Sequence, residues 1–323
     1  AEGRPNWYIP LCAALDGPDV ELPLDPYLFG CWLGDGTSAA GRITTMDDEI
    51  VASFRAAGYP TLPAPDEQQH SGKATTYVID PERGAFAAAL RGLGVLGSGA
   101  KRIPIAYLRA SARQRRALLH GILDTDGGAR AIGRSDVELC LSNRALLEDV
   151  HELVCSLGHK PNPIRHRIAR AGAEGRPCDA WRFQWTPPEP VFRLDRKLAA
   201  MATGRTTGNG RTTRRHIVSI ESIEPVAMRC IQVSSPDHLY LAGRTMIPTH
   251  NTNTLNNVLT TLSQRREVAL VLVDLKGANG DLGAFAARAS AYSHTKKGGK
   301  AAILAVYREA QRRKTIPGIG QYS

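Results

Sequence analysis

The 323-residue sequence predicts an α+β chain in three successive parts, and three observations carry that expectation. Two similar apolar helices, each closing on Asp-Gly, open two similar runs of helices and strands. A basic, low-complexity stretch, "ATGRTTGNGRTTRR" (202–215), separates this duplicated body from a run of short strands and turns. Beyond it, "LNNVLTTLSQRREVALVLVDLKG" (255–277) reads as a helix followed by a buried apolar strand, the pattern of a parallel α/β unit.

Taken in order, residues 1–25 are Pro-rich and irregular. "DPYLFGCWLGDG" (25–36) is a helix with Pro26 in its first turn, where a missing N–H costs nothing. "GRITT" (41–45) is a strand, and "DDEIVASFRAAG" (47–58) a helix capped by Asp47 or Asp48 and stopped by Gly58. "ATTYVID" (74–80) is a strand and "GAFAAALRGLG" (84–94) a helix. The second round begins with the helix "RQRRALLHGILDTDGG" (113–128), followed by strand character and a Gly-Arg-Ser-Asp turn over 129–142. "NRALLEDVHELVCSLG" (143–158) is amphipathic, with Leu146, Leu147, Val150, Leu153 and Val154 on one stripe. "PIRHRIAR" (163–170) and "AWRFQWT" (180–186) read as further strands. Residues 216–251 alternate short strands with Glu-Pro, Ser-Pro-Asp and Ala-Gly-Arg turns, which predicts a small all-β region.

The net charge of +10 is uneven. Residues 252–323 hold 11 Lys/Arg against 4 Asp/Glu, leaving 30 against 27 for the rest. The clusters "KRIPIAYLRASARQRR" (101–116) and "RHRIAR" (165–170) permit nucleic-acid binding or form a solvated face. Six cysteines without a CxxC pair fit a reducing, cytoplasmic setting. No apolar run approaches the roughly 20 residues of a membrane span, no signal peptide stands out, and Ala1 in place of Met suggests a start elsewhere.

Aligning "LFGCWLGDG" (28–36) with "LHGILDTDG" (119–127), 91 residues apart, places Gly30 on Gly121 and Asp35 on Asp126. The glycines allow two helices to approach backbone to backbone, which sets the two carboxylates side by side. Such a pair repels itself unless a cation lies between, so the arrangement implies a divalent metal.

Both segments resemble the dodecapeptide motif of LAGLIDADG homing endonucleases, although Leu33 replaces the first Asp of that motif in the first copy. The resemblance implies a two-repeat saddle, αββαββ twice, acting as a monomer astride the major groove of double-stranded DNA. It implies Mg²⁺ held by Asp35 and Asp126, each activating water against one strand. Lys101, in "KRIP", resembles the family's basic segment ahead of the second motif and is the candidate catalytic-centre lysine, a plain phosphate contact being the other reading. Arg165, Arg167, Arg170 and Arg182 are the candidate DNA contacts.

"His250-Asn251-Thr252" has the groups for a chain cut: an Asn amide that can attack its own carbonyl, a His as acid, and a Thr hydroxyl as acyl acceptor. Around it, "RCIQVSSPDHLYLAG" (229–243) and "MIPTHN" (246–251) resemble the C-terminal splicing region of inteins. Cys230 at a position usually Asp, with Thr252 after the terminal Asn251, resembles the class 3 type. The resemblance implies that Cys230 takes the upstream extein, Thr252 receives it, and Asn251 cyclises with help from His250 and His238, without a cofactor. Cys230 as a small buried strand residue is the other reading.

"VLVDLKG" (271–277) resembles the strand after the P-loop in FtsK-type DNA translocases, with Thr252 as the P-loop's Mg²⁺ ligand. The expected organisation is a linker over 1–25 from a missing N-terminal splicing half, an endonuclease over 26–200, an all-β Hint splicing region over 201–251, and a partial P-loop ATPase extein over 252–323. The expected function is an intein fragment: a Mg²⁺-dependent endonuclease cutting the uninterrupted host gene, joined to the C-terminal half of a splicing element between flanking exteins, the N-extein missing. The alternatives are an idle LAGLIDADG fold that binds DNA or RNA, and a plain P-loop ATPase with an insertion.

Overall fold

The computed structural model describes residues 7–65, 74–130, 136–171, 176–202, 213–224, 231, 233–237, 239–250, 258–275 and 282–315. The chain divides into two units, one comprising Ala1–Ile223 with Leu241–Pro248, the other Glu224–Tyr240 with Thr249–Ser323.

The first unit begins with β1 (Tyr8–Pro10) and the helix α1 (Pro26–Asp35). Asp25 starts α1 by accepting from the N–H groups of Tyr27 and Leu28 at 2.9 and 3.1 Å. There follow β2 (Arg42–Thr45), α2 (Asp48–Ala56), β3 (Thr61–Pro63), β4 (Thr75–Ile79) and α3 (Ala85–Gly92). Gly36 makes an antiparallel bridge to Ile43, and the sheet runs β2-β4-β3. After the short α4 (Ile105–Leu108), the second half has α5 (Ala112–Asp126), β5 (Gly127–Arg130), β6 (Asp136–Leu141), α6 (Arg144–Ser156), β7 (Arg165–Ala171), β8 (Arg176–Trp185) and α7 (Asp195–Ala202). Its antiparallel sheet runs β5-β6-β8-β7. The Gly36–Ile43 bridge therefore corresponds to the β5–β6 pair, and both halves follow one plan.

α5 starts with a reciprocal cap: Gln114 N–H donates to Ser111 Oγ at 3.2 Å, and Ser111 N–H donates to Gln114 Oε1 at 3.3 Å. Asp47 stands at the N-cap of α2 but its side chain does not cap it. Its carboxylate instead receives the Arg196 guanidinium at 2.6 and 2.7 Å, tying α2 to α7. The stripe Leu146, Leu147, Val150, Leu153 and Val154 of α6 is buried in one core with Phe29, Trp32, Ile122 and Phe183.

The seam between the halves is the crossing of α1 and α5. A methyl group built on Gly30 would overlap the Leu118 carbonyl oxygen and lie 3.1 Å from Gly121 Cα. One built on Gly121 would overlap the Tyr27 carbonyl and lie 3.0 Å from Gly30 Cα. The two backbones thus touch where any other residue would hold them apart.

Residues 8–25 are more than a tether. β1 pairs antiparallel with β9 (Arg214–His216), in register Tyr8↔His216, and Leu15 N–H donates to the Ser156 carbonyl at 2.9 Å. Leu24 is buried in the core, its N–H donating to Tyr107 Oη at 3.0 Å. Beyond β1, the irregular conformation follows from bonding to body groups rather than to a neighbouring strand. In 201–251 the described strands are β9 and the short pair β10 (Leu239–Ala242) and β11 (Ile247–His250), which lie in separate two-stranded sheets.

In the second unit, β12 (Val271–Val273) and β13 (Ala291–Ser293) are parallel, and α8 (Lys296–Lys314) is capped by Thr295 Oγ1, which accepts from Gly298 N–H at 3.1 Å. Leu259, Leu270 and Leu272 form its small core.

Gly121→Ala should destabilise the first unit by about 3 kcal/mol, since neither backbone can move aside without opening the seam. Gly92→Ala, where an added methyl group meets open space, should leave the melting temperature within about a degree. Thermal denaturation of the two variants checks both.

Candidate functional site: two carboxylates at a helix seam

Asp35 and Asp126 are the last residues of α1 and α5. The end of α5 lies against the end of α1: a methyl group built on Gly34 would overlap Thr125 and lie 3.0 Å from Asp126 Oδ2. Burial pushes the Asp35 carboxyl up to about 7, and Asp126 adds to that, opposed by Lys197 and Lys101. Burial likewise raises Asp126, against Lys101 and then Lys197. Among the described residues neither carboxylate enters an ion pair or a hydrogen bond.

The nearby cations are committed elsewhere. Lys101 Nζ donates to the carbonyls of Trp32, Leu33, Gly34 and Gly36 at 3.0, 3.0, 3.1 and 2.7 Å. Lys197 Nζ donates to those of Leu123, Thr125 and Gly127 at 2.8, 3.0 and 2.8 Å. Each ammonium thus sits on the negative end of one helix dipole and satisfies its last carbonyls. Burial pushes Lys101 down to about 8 and also lowers Lys197, while the carboxylates hold both up.

Lys101 was legible in the sequence because it precedes the second Asp-Gly helix. Lys197, its counterpart in the second half, was missed because no third helix of that kind follows it. The signal was "DRKL" after the last strand, in the place "KRIP" takes in the first half. The replacement of Asp by Leu at position 33 also acquires a reason. The matching Asp124 is fully buried and serves structure: it accepts from Tyr27 Oη at 2.9 Å, Arg193 N at 3.0 Å and Leu194 N at 3.2 Å, which seats the chain entering α7.

Arg165 faces Arg182 across the β7–β8 ladder. By strand alternation Arg165, Arg167 and Arg182 share one face of the sheet, and Arg170 lies on the other. Arg165, Arg167 and Arg170 are exposed, whereas Arg182 is bound to Glu138 at 2.9 Å. A cleft of about 700 Å³ reaches from this sheet to Lys101 and Asp126, lined also by Cys140, Asn143, Arg144 and Trp181. Asp35 opens into a separate cleft with Thr125 and Arg196.

Cys230, His238, Asn251 and Thr252 lie outside the described residues, and His250 is described only as the backbone that ends β11.

Asp35 is half-buried and Asp126 is exposed to the cleft, and a pair of carboxylates without an ion-pair partner among the described residues fits a divalent ion. No group of three or more His, Cys, Asp and Glu side chains assembles among the described residues, so water would complete the shell. Magnesium keeps several waters and needs few protein ligands, which matches the pair Asp35 and Asp126.

No family model matches the sequence. The chain is 36% identical over 273 residues to the replicative DNA helicase DnaB of Mycobacterium intracellulare, a match covering 84% of this chain and 43% of that protein. It is 37% identical over 60 residues to the replicative DNA helicase DnaB of Mycobacterium leprae, covering 19% of this chain and 10% of that protein. The chain thus spans less than half the length of the curated relatives it matches.

These relatives correct the reading drawn from the motifs. An intein fragment inserted in an FtsK-type ATPase, acting as a LAGLIDADG homing endonuclease and a self-splicing element, was expected. The matched proteins are named replicative DNA helicases, neither name carries endonuclease or splicing activity, and similarity to the first runs through most of the chain. The plain P-loop ATPase with an insertion, the last alternative in the sequence reading, accords with them. No helix among the described residues is long and apolar enough to cross a membrane.

The raised Asp35 carboxyl gives a signed pH dependence. Its folded value of about 7 exceeds the ordinary 3.8, so the folded state holds the extra proton and stability falls as pH rises between these values. Asp35→Asn should therefore melt higher than the wild type at pH 8 without metal and converge with it near pH 4. Millimolar Mg²⁺ should raise the wild-type melting temperature and leave the variant's unmoved. Scanning fluorimetry across pH checks this; a variant less stable than wild type at pH 8 contradicts it.

Proposed function

We propose that the chain forms part of a DnaB-type replicative DNA helicase, an ATPase carrying an insertion, and that its first unit is an inserted body that binds double-stranded DNA. The match over 84% of the chain to a replicative DNA helicase carries the enzymatic class. The second unit supports it: a parallel strand pair with a helix packed over it through Gly299 and Val273 is the local plan of a nucleotide-driven α/β enzyme.

Arg165 and Arg167, exposed on one face of β7, are the groups that engage backbone phosphates. Arg182 does so less, because Glu138 holds its guanidinium. Asp35 and Asp126 would hold Mg²⁺, which would supply the positive charge that lets a phosphate approach the two carboxylates. Lys101 and Lys197 keep the helix ends that carry these carboxylates in place, and Lys101 lines the cleft beside Asp126.

Fluorescence anisotropy with a labelled duplex tests the DNA-binding half of the proposal. Binding should weaken steeply with salt, and the double variant Arg165→Ala/Arg167→Ala should lose about tenfold in affinity and lower the salt slope by about 2. Absence of duplex binding at low salt contradicts it. ATP-driven separation of a forked duplex, assayed with the full-length product of the gene encoding this chain, tests the helicase half; no unwinding contradicts it.

A further inference from the structure

Away from the seam, α6 carries two acidic residues one turn apart, Asp149 and Glu152, both nearly buried at 2% and 5% exposure. Like charges at this spacing repel, and burial sharpens the repulsion, so cations must reach them. Arg102 binds Asp149 through Nε and Nη2 at 2.6 and 2.9 Å, and Ile103 N–H adds a third donor at 3.1 Å. Arg109 binds Glu152 Oε1 at 2.7 Å. Each carboxylate thus has its own arginine from the segment leading into α5.

A third guanidinium bridges the two. Arg244 Nη2 donates to Asp149 Oδ1 at 2.7 Å and its Nε to Glu152 Oε2 at 2.6 Å, with Glu148 3.8 Å away. Arg244 belongs to the segment Leu241–Pro248, which is part of the first unit although the chain on either side of it, Glu224–Tyr240 and Thr249–Ser323, belongs to the second. The segment is also attached through the buried Met246 and through Thr245, whose carbonyl accepts from Arg215 Nη2 at 3.2 Å.

We propose that Arg244 is a releasable latch, a guanidinium fork that clamps the 241–248 turn onto the acidic pair of α6. The fork suits the task because its Nε and Nη2 edges each meet a separate carboxylate in one planar, pre-organised geometry. The latch is releasable because Arg244 is half exposed, so salt screens it, and because Asp149 and Glu152 keep Arg102 and Arg109 when it leaves. Opening it frees the turn and leaves the body folded. This inference stands apart from the DNA-binding proposal.

Hydrogen–deuterium exchange of the intact chain tests it. In Arg244→Gln, amides of 241–248 should exchange about tenfold faster than in the wild type, while α1, α5 and β6 keep their protection. Arg244→Lys, which keeps the charge and loses the planar fork, should fall between. In the wild type, raising NaCl from low concentration to about 1 M should speed exchange in 241–248 alone. Equal protection of 241–248 in the wild type and Arg244→Gln overturns the latch. Should Arg244→Gln unfold the whole unit, the salt titration decides, and protection that is indifferent to salt overturns it.

Discussion

The backbone-to-backbone crossing of α1 and α5 at Gly30 and Gly121 is the constraint on which the first unit depends. Each glycine occupies the spot where the other helix's carbonyl needs room, so the pair works only as a pair. Because the helices cross so closely, their ends stay close, and the terminal Asp35 and Asp126 are held at the same end of the seam. The sheets that follow each helix are then set on either side of the seam by the chain itself, through the Gly36–Ile43 bridge in one half and the β5–β6 pair in the other.

Such a crossing creates an electrostatic problem at its lower end. Two helix C-termini present several unpaired carbonyls, and two carboxylates join them under partial burial. Lys101 and Lys197 answer the first part, each capping one helix from the segment after its own half. They do not answer the second, because their donors are spent on carbonyls. The residual negative charge is what suits the seam to the cation proposed for it. On α6 the opposite choice was made: the buried acids Asp149 and Glu152 meet guanidinium groups directly.

Legibility in the sequence followed the range of the physics. Gly30, Gly121, Asp35 and Asp126 could be read because one helix fixes their spacing and the motif repeats. The buried stripe of α6 could be read from its 3.6-residue period. Lys197 could not, since its role depends on a carbonyl cluster 70 residues earlier that no local pattern announces. Asp47 was read as a cap because caps are local, yet a long-range arginine took its carboxylate. The division of Arg165, Arg167 and Arg182 from Arg170 depends on strand register. Short motifs also weigh a few positions each, and the family reading built on them gave way to similarity spread over 273 residues.

We propose that the helix seam makes Asp35 and Asp126 a divalent-cation site. Crystals of the chain soaked in Mn²⁺, with anomalous diffraction recorded at the manganese edge, test it directly. The account predicts a peak at the junction of α1 and α5, about 2.2 Å from an oxygen of each carboxylate, with waters in the remaining positions and Lys101 and Lys197 still on their carbonyls. A seam without a peak, or with the two lysines turned to pair with the carboxylates, would contradict it.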